Sequence, residues 1–364
     1  MSASSRIALA RLVNQGIAQP TLAEVGDVVA WLGALQAQDY GGTLWAMGLR
    51  MAGATERRIE QAIAGRTIVR TWPMRGTLHF VAANDVRWML ALLAPREIAG
   101  SAGRSLQLEL DAATFARSQE VFAKALQGGK QLTRDEMLQA LEQAGIATTR
   151  QRGYHLLVRS AQDGLICFGS RRGKQHTFAL LDDWIPPTQP LARDEALAEL
   201  TRRYFSGHGP ATAQDLMRWA GLTAAEVKRG LEAVGKDLIQ ETIAGRVYWM
   251  PGSTPAPSRG MASAYLLPGF DEYVLGYGDR SAVLDPAYAQ RICPGDNGMF
   301  IPTLVIDGEV TGVWKRTLKK RAVVIEVAPF RPLTPAENQA LEAAAQRYGE
   351  FLDLPVVLPH IGNP

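Results

Sequence analysis

The chain has 364 residues, 47% of them hydrophobic and 21% charged, with 39 Lys+Arg against 36 Asp+Glu. That composition suits an ordinary globular protein with enough chain for several domains and a sizeable core. It excludes a disordered or disulfide-framed chain, and no apolar run approaches the length needed to cross a bilayer.

Helices are predicted near residues 7–15, 25–35 and 56–64, followed by a hairpin turning at about 73–76 in TIVRTWPMRGTLHFV. Inside this first segment lies LQAQDY, with Gln36 and Gln38 one residue apart at the end of an apolar helical run. On a helix, positions i and i+2 point about 200° apart, whereas on an extended backbone they point the same way. If both amides serve one site, the helix has to stop before Gln36.

A second segment repeats the order of elements. A helix near 113–126 is followed by LTRDEMLQALEQAG, where Thr133 and Glu136 have capping-box spacing, and by a third helix near 150–162. Then come the apolar run LICFG, a polar wing, SRRGK, and HTFALL. The third segment leads in with a helix near 194–205. Thr212 is placed to cap a helix that ends before Gly221, and Thr223 and Glu226 form another capping box over a stripe of Val227, Leu231 and Val234. Two strand-like runs follow around Ala244–Gly245. Helices closed by a hairpin are the order of a winged helix-turn-helix.

Residues 251–260 resemble a linker. Beyond it the character changes to β: FIPTLVIDGEVTGVWKR forms a hairpin about Asp307–Gly308, a type I′ signature. RAVVIEV extends that sheet, and a helix opens at Pro335. The expected fold is therefore α+β: three tandem winged helix-turn-helix units (1–100, 101–190 and 191–260) plus a C-terminal mixed β domain (261–364) closed by a helix.

Several chemistries lack support. The histidines at 79, 155, 176, 208 and 360 never fall at zinc-ligand spacing, and neither Cys167 nor Cys293 lies in a C-x-x-C pair. No phosphate-binding glycine loop of the GxxxxGK[ST] type and no GxSxG nucleophile motif is present. No metal or cofactor is expected, and both cysteines are expected to be small buried hydrophobes in a cytoplasmic protein. The basic residues cluster: six Arg/Lys against one acid over 145–181, and five with no acid over 310–325. Such runs suit a phosphate backbone or a solvated surface. On the first hairpin, Arg75, Thr77 and His79 share a face by strand alternation. On the second wing stand Arg171, Arg172 and Lys174, and beside the last hairpin Lys315 and Arg316. The segment GFDEYVLGYGDRS adds Asp271, Glu272, Asp279 and Arg280, with Asp279–Arg280 read as a structural ion pair.

Taken together, LQAQDY, TWPMRGTLH, LLPGFDEYVLGYGDRS and NGMFIPTLVIDGEVTGVWKR resemble the AlkZ/YcaQ family of winged-helix DNA glycosylases over nearly the whole chain. The resemblance implies removal of N7-alkylated purines from double-stranded DNA, including bases tethered as interstrand crosslinks, by a monomeric enzyme. It implies catalytic roles for Gln36 and Gln38, since Gln36-Ala37-Gln38 matches the Q-Φ-Q motif of the AlkZ branch. It implies, more loosely, DNA contacts by Arg75, Thr77, His79, Arg171, Arg172, Lys174, Lys315 and Arg316. A non-catalytic winged-helix regulator would also account for the modules and the basic wings, but it gives the two glutamines no shared task.

Overall fold

The computed structural model describes residues 2–252 and 262–359; beyond Gly252 the expected linker lies outside the described residues. The chain divides into two compact units, one made of residues 1–60 and 198–364 and the other of residues 61–197.

The first unit opens with α1 (Ala3–Asn14), α2 (Val25–Leu32), the short extended piece β1 (Leu35–Gln36), α3 (Tyr40–Leu49) and α4 (Glu56–Ala64), the last running across the boundary. The second unit contains β2 (Ile68–Met74), β3 (Thr77–Ala82), α5 (Val86–Gly100), α6 (Ala102–Gln107), α7 (Ala112–Leu126), β4 (Leu132–Thr133), α8 (Arg134–Gln143), α9 (Arg152–Gln162), β5 (Ile166–Phe168), β6 (Thr177–Leu180) and α10 (Leu181–Trp184). The chain returns to the first unit along α11 (Arg193–His208), then α12 (Ala213–Ala220), α13 (Ala224–Val234), β7 (Leu238–Ile243) and β8 (Arg246–Pro251). It continues through β9 (Ala264–Leu267), α14 (Glu272–Leu275), α15 (Ala289–Ile292), β10 (Thr303–Ile306), β11 (Glu309–Lys319), β12 (Ala322–Pro329), α16 (Pro335–Leu352) and β13 (Val356–Val357).

Local chemistry fixes many of these boundaries. Reciprocal capping boxes start α8 at Thr133/Glu136, α13 at Thr223/Glu226 and α16 at Thr334/Glu337. Gly221 takes a left-handed conformation just past α12. The turns Arg75–Gly76, Ala244–Gly245 and Asp307–Gly308 each hold two successive positive φ angles, as tight hairpin turns require.

The C-terminal sheet has the order β13-β12-β11-β10-β9, antiparallel except for the parallel β12–β13 pair. The fold is thus α+β with a C-terminal mixed sheet, and α16 packs on it. Helix α3 sits against both. Trp45 meets Tyr348 and Phe351 of α16 at 4.9 and 5.1 Å between ring centroids, and its indole N–H donates to the carbonyl of Leu266 in β9. Trp314 of β11 closes the cluster, 5.3 Å from Tyr348. The close approach needs Gly48: a Cβ there would lie 2.6 Å from the Phe351 ring, which is 2% exposed.

Helices α3, α5 and α6 were not anticipated. Helix α3 carries three glycines and is buried on nearly every side, so it shows no amphipathic period. Helix α5 is apolar through most of its length and contains Pro95.

Two effects compete at Gly48. Replacing glycine by alanine within a helix gains about 0.5–1 kcal/mol of backbone propensity, while overpacking a filled core costs about 1–3 kcal/mol. The clash is with a buried ring rather than a flexible chain end, so Gly48→Ala is expected to lower the denaturation midpoint. Adding Phe351→Leu should recover much of the loss; a stabilised single variant would show that the α3–α16 contact gives way easily.

Candidate active site

The loop carrying Gln36 and Gln38 is set by its two flanks. Gly33, at φ 78°, ends α2 three residues before Gln36, so the chain is already extended at Leu35–Gln36. Asp39 then starts α3, its carboxylate accepting from the Gly42 N–H at 3.1 Å. The Thr43 hydroxyl braces the loop from within, lying 2.8 Å from the carbonyls of both Gln36 and Asp39. Ala37 is fully buried, Gln36 is 8% exposed and Gln38 is exposed. The loop therefore presents its second amide outward while its first lies against the protein.

Beneath the loop lies a buried polar cluster supplied by the FDEY segment. The Gln36 backbone N–H donates to Glu272 Oε1 at 3.4 Å. Glu272 Oε2 accepts from the Trp219 indole at 2.8 Å and lies 3.3 Å from His208 Nε2. The His208 ring stacks on Tyr204, with centroids 4.6 Å apart and planes 12° from parallel. Next to Glu272, Asp271 holds Arg50 through two bonds of 2.9 Å, with both side chains almost completely buried. Arg50 also reaches Gln15 Oε1 at 2.7 Å, and Gln15 donates to the Tyr277 hydroxyl at 3.0 Å, which donates to the His208 carbonyl at 2.7 Å. Burial pushes the phenols of Tyr204, Tyr273 and Tyr277 upward, so all three stay neutral donors.

Arg316 belongs to the same neighbourhood. Its guanidinium lies 3.8 Å from Asp39 Oδ1 and 5.7 Å from the Tyr348 ring centre, over the start of α3. A Cβ at Gly41 would stand 2.9 Å from that guanidinium, so a small residue there permits the approach. Burial pushes the Tyr348 phenol up to about 12. Lys315 points the other way on β11 and pairs with its cross-strand partner Glu326 at 3.1 Å. The Asp279–Arg280 ion pair does not form: Asp279 pairs with Arg246 of β8, and Arg280 lies over Phe300 with its Nε donating to the Val274 carbonyl. Adjacent residues on this irregular loop point apart, which the sequence did not disclose.

The remaining candidates lie in the second unit. On the first hairpin, Arg75 Nη2 approaches His79 Nε2 at 3.1 Å, and His79 Nδ1 lies 3.0 Å from the Thr77 carbonyl. These contacts fix a neutral ring with its proton on Nδ1. Burial, reinforced by Arg75, holds its pKa well below the usual value. His79 is fully buried, so it is a prop for the half-buried Arg75 rather than a surface contact. Thr77 is half-buried beside the turn. On the wing, Arg172 is tied back to Glu136 at 2.8 Å and to the Gln131 carbonyl at 2.6 Å, Arg171 is half-buried, and Lys174 is exposed. Part of the basic run is likewise used internally: Arg159 pairs with Asp163, and Arg152 donates to the carbonyls of Ala147 and Glu109. Cys167 and Cys293 are both buried. Among the described residues no cluster of three or more His, Cys, Asp or Glu could hold a metal ion, and no helix is long and apolar enough to cross a membrane.

The family model for DNA glycosylase AlkZ-like proteins matches residues 29–351, a span that includes the glutamine loop, the FDEY cluster and Arg316. The chain belongs to the AlkZ-like DNA glycosylases. It is 28% identical to an interstrand DNA cross-link repair glycosylase of Streptomyces sahachiroi, over 94% of this chain and 96% of that one. The solved structure of the S. sahachiroi DNA glycosylase AlkZ superposes with a TM-score of 0.76 at 26% identity, covering 98% of this chain and all of that chain. In this AlkZ-like enzyme, sequence reasoning found the glutamine loop but not its supports. Glu272 carried no role in the sequence; Trp219 and His208 were missed because their partner Glu272 lies 53 and 64 residues away, and Thr43 because it sits in the unanticipated helix α3. The only signal was a pair of adjacent acids, Asp271 and Glu272, in an aromatic-rich run.

Two outcomes follow from this geometry. Glu272→Ala removes the acceptor of the Trp219 indole at a cost of about 1–3 kcal/mol, and Gln36 loses its floor; urea unfolding should show the first effect and a greater than tenfold slower base release the second, while a variant with native release would separate the two. The second outcome concerns pH. His79 and His155 have folded-state pKa values below the unfolded value of about 6.5, and burial lowers that of His176 to about 4. The unfolded chain therefore takes up these protons first, so stability is full above about pH 6.5 and is lost as pH falls toward the folded values. The urea midpoint should drop between pH 7 and 5, less steeply in His79→Gln; a flat profile would contradict neutral burial.

Proposed function

We propose that this DNA glycosylase hydrolyses the N-glycosidic bond of N7-alkylated purines in double-stranded DNA, with a water held by Gln36 and Gln38. The carrying observation is the glutamine loop itself: extended at Gln36, open to solvent at Gln38, and braced by Thr43 and Glu272.

The chemistry matches neutral amides. Alkylation at N7 leaves a positive charge on the purine, and cleavage of the C–N bond neutralises it, so the leaving base needs no general acid. What remains is a sugar with oxocarbenium character and a water that has to attack from the correct face. Two amide oxygens orient that water and stabilise positive charge developing on the sugar, without needing basicity of their own. Glutamine has no proton-transfer pKa in the working range, so an uncharged, unmodified nucleoside is a poor substrate. No lysine takes part as a nucleophile, which makes the enzyme monofunctional. Asp39 adds no second base in this reading, because it caps α3 and faces Arg316.

The three helix-then-hairpin segments are read as winged-helix units that track the duplex, and the enzyme as a monomer. Phosphate contacts are assigned to Arg75, Thr77, Arg171, Arg172, Lys174, Lys315 and Arg316, with His79 supporting Arg75. The relative named for interstrand cross-link repair supports extending the substrate to crosslinked bases. A base bonded to the opposite strand cannot enter a closed pocket, so such a substrate requires cleavage without full extrusion.

Incubation with DNA containing N7-methylguanine should release free base and leave an abasic site. Gln36→Ala and Gln38→Ala should each slow that release more than tenfold with duplex affinity nearly unchanged. Native rates in both variants would remove the glutamines from the mechanism. Lys315→Glu/Arg316→Glu should weaken binding and reduce the salt slope by about one unit per lost cation; an unchanged slope would mark β11 as a solvated edge only.

A further inference from the structure

The first unit contains a cavity that neither the glutamine loop nor the cations assigned above use. It has a volume of about 380 Å³ and lies between α12, the loop after α14 and the segment around α15. That size falls in the range of roughly 300–1,000 Å³ typical of ligand pockets. Arg218 and Arg280 both line it. Local chemistry brings them together. Asp215 caps α12 through Thr212, and its other oxygen accepts from the Gly278 N–H at 2.8 Å, which latches the helix to the GYGDR loop. Arg218 stands three residues further along α12, on the same face of the helix. Its Cδ passes over Gly278, 3.4 Å from where a Cβ would stand. Two residues beyond Gly278 the loop supplies Arg280.

Arg280 is half-buried and held in place. Its Nε donates to the Val274 carbonyl at 2.8 Å, and its guanidinium lies 4.7 Å from the Phe300 ring centre. Arg218 is exposed. The nearby carboxylates are committed elsewhere: Asp279 to Arg246, Asp296 to the Gln290 amide, and Asp215 to Thr212 and Gly278. Among the described residues neither arginine pairs with a carboxylate. Burial, and after it the approach of Arg218, lowers the Arg280 pKa. Both groups stay charged. Two like charges held together cost Coulomb energy, and a bound anion reverses that term.

An anion with oxygens on several sides accepts from two guanidiniums at once, and a phosphate is such an anion. Leu284, Ile292 and Cys293 form buried walls that weaken screening by water, while exposed Pro286, Asp296 and Gly298 form the mouth. The volume exceeds that of one phosphate, and the apolar walls suit the sugar bonded to it, which favours a phosphate within a strand over a free ion. The carbonyl that holds Arg280 belongs to α14, the short helix that begins with Glu272 beneath Gln36. We infer that Arg218 and Arg280 clamp one backbone phosphate of the DNA substrate in this cavity. The inference rests on the DNA glycosylase assignment and is independent of the two-glutamine mechanism. It adds a contact tied through α14 to the support of the glutamine loop.

The test uses the full-length protein and a duplex carrying a tetrahydrofuran abasic analogue, which cannot be cleaved. Arg218→Ala should weaken binding about tenfold, the scale of one charge-assisted hydrogen bond, and reduce the salt slope by about one unit. Arg218→Lys should keep the slope but recover only part of the affinity, because an ammonium lacks the fork. Neutral methylphosphonates placed one at a time along the backbone should reveal one position that weakens native binding and costs nothing further in Arg218→Ala. Arg218 is exposed, so its variants keep the fold, and thermal melts check that. Gln38→Ala should give the native scan while losing base release, so failure of the catalytic reading and failure of this one are separable. Native affinity and slope in Arg218→Ala, or a scan that Arg218→Ala leaves unaltered at every position, would overturn the inference. Full recovery by Arg218→Lys would replace the clamp with a diffuse charge effect. Inorganic phosphate that raises the melting midpoint of the native protein but not of Arg218→Ala, with DNA binding equal in the two, would overturn the strand assignment and make the cavity a free-phosphate site.

Discussion

Everything around the glutamine loop depends on two adjacent carboxylates, Asp271 and Glu272. Asp271 closes a buried, two-bond ion pair with Arg50, at the end of the helix that follows the loop. Glu272 reaches the Gln36 backbone and joins it to the Trp219 indole and to His208. A buried ion pair adds little net stability against a well-packed apolar alternative, but removing one partner costs about 3–5 kcal/mol because a charge is left uncompensated. Its value here is registration. Segments separated by more than 200 residues are held to hydrogen-bond tolerance.

Helix α3 transmits this order to the C-terminal sheet. Asp39 starts it, Thr43 braces the loop from inside it, Trp45 anchors it on β9 and α16, and Arg50 ends it at Asp271. The Gln36–Gln38 loop is therefore fixed at both ends of one short helix rather than left to loop flexibility. Arg316, from the sheet, lies over the start of the same helix. The charge placed beside the loop and the scaffold that holds the loop thus come from one packed layer.

The second unit distributes its charge differently. Several arginines of the basic run cap carbonyls or pair with Glu136 and Asp163. A count of basic residues consequently overstates what faces a phosphate. Exposed ion pairs of this kind are worth little in stability, so exchanging an acid for a phosphate oxygen costs little. The Arg172–Glu136 pair is of this exposed kind, whereas His79 would have to leave a dry site to reach the surface.

The sequence by itself determined whatever is local. Thr133/Glu136 and Thr223/Glu226 capped their helices, Asp307–Gly308 turned its hairpin, and Gly33 ended α2 so that the backbone is extended at Leu35–Gln36. Each of these depends on residues within a few positions of one another, whose preferences survive any tertiary context. Only the tertiary structure decided the rest. Helix α3 hid because burial on nearly all sides erases periodicity, His79 turned inward, Asp279 chose Arg246 over its neighbour Arg280, and Glu272 came to lie under Gln36. These outcomes are set by which distant groups compete for the same buried space and the same hydrogen bond. That competition exists only once the chain has packed.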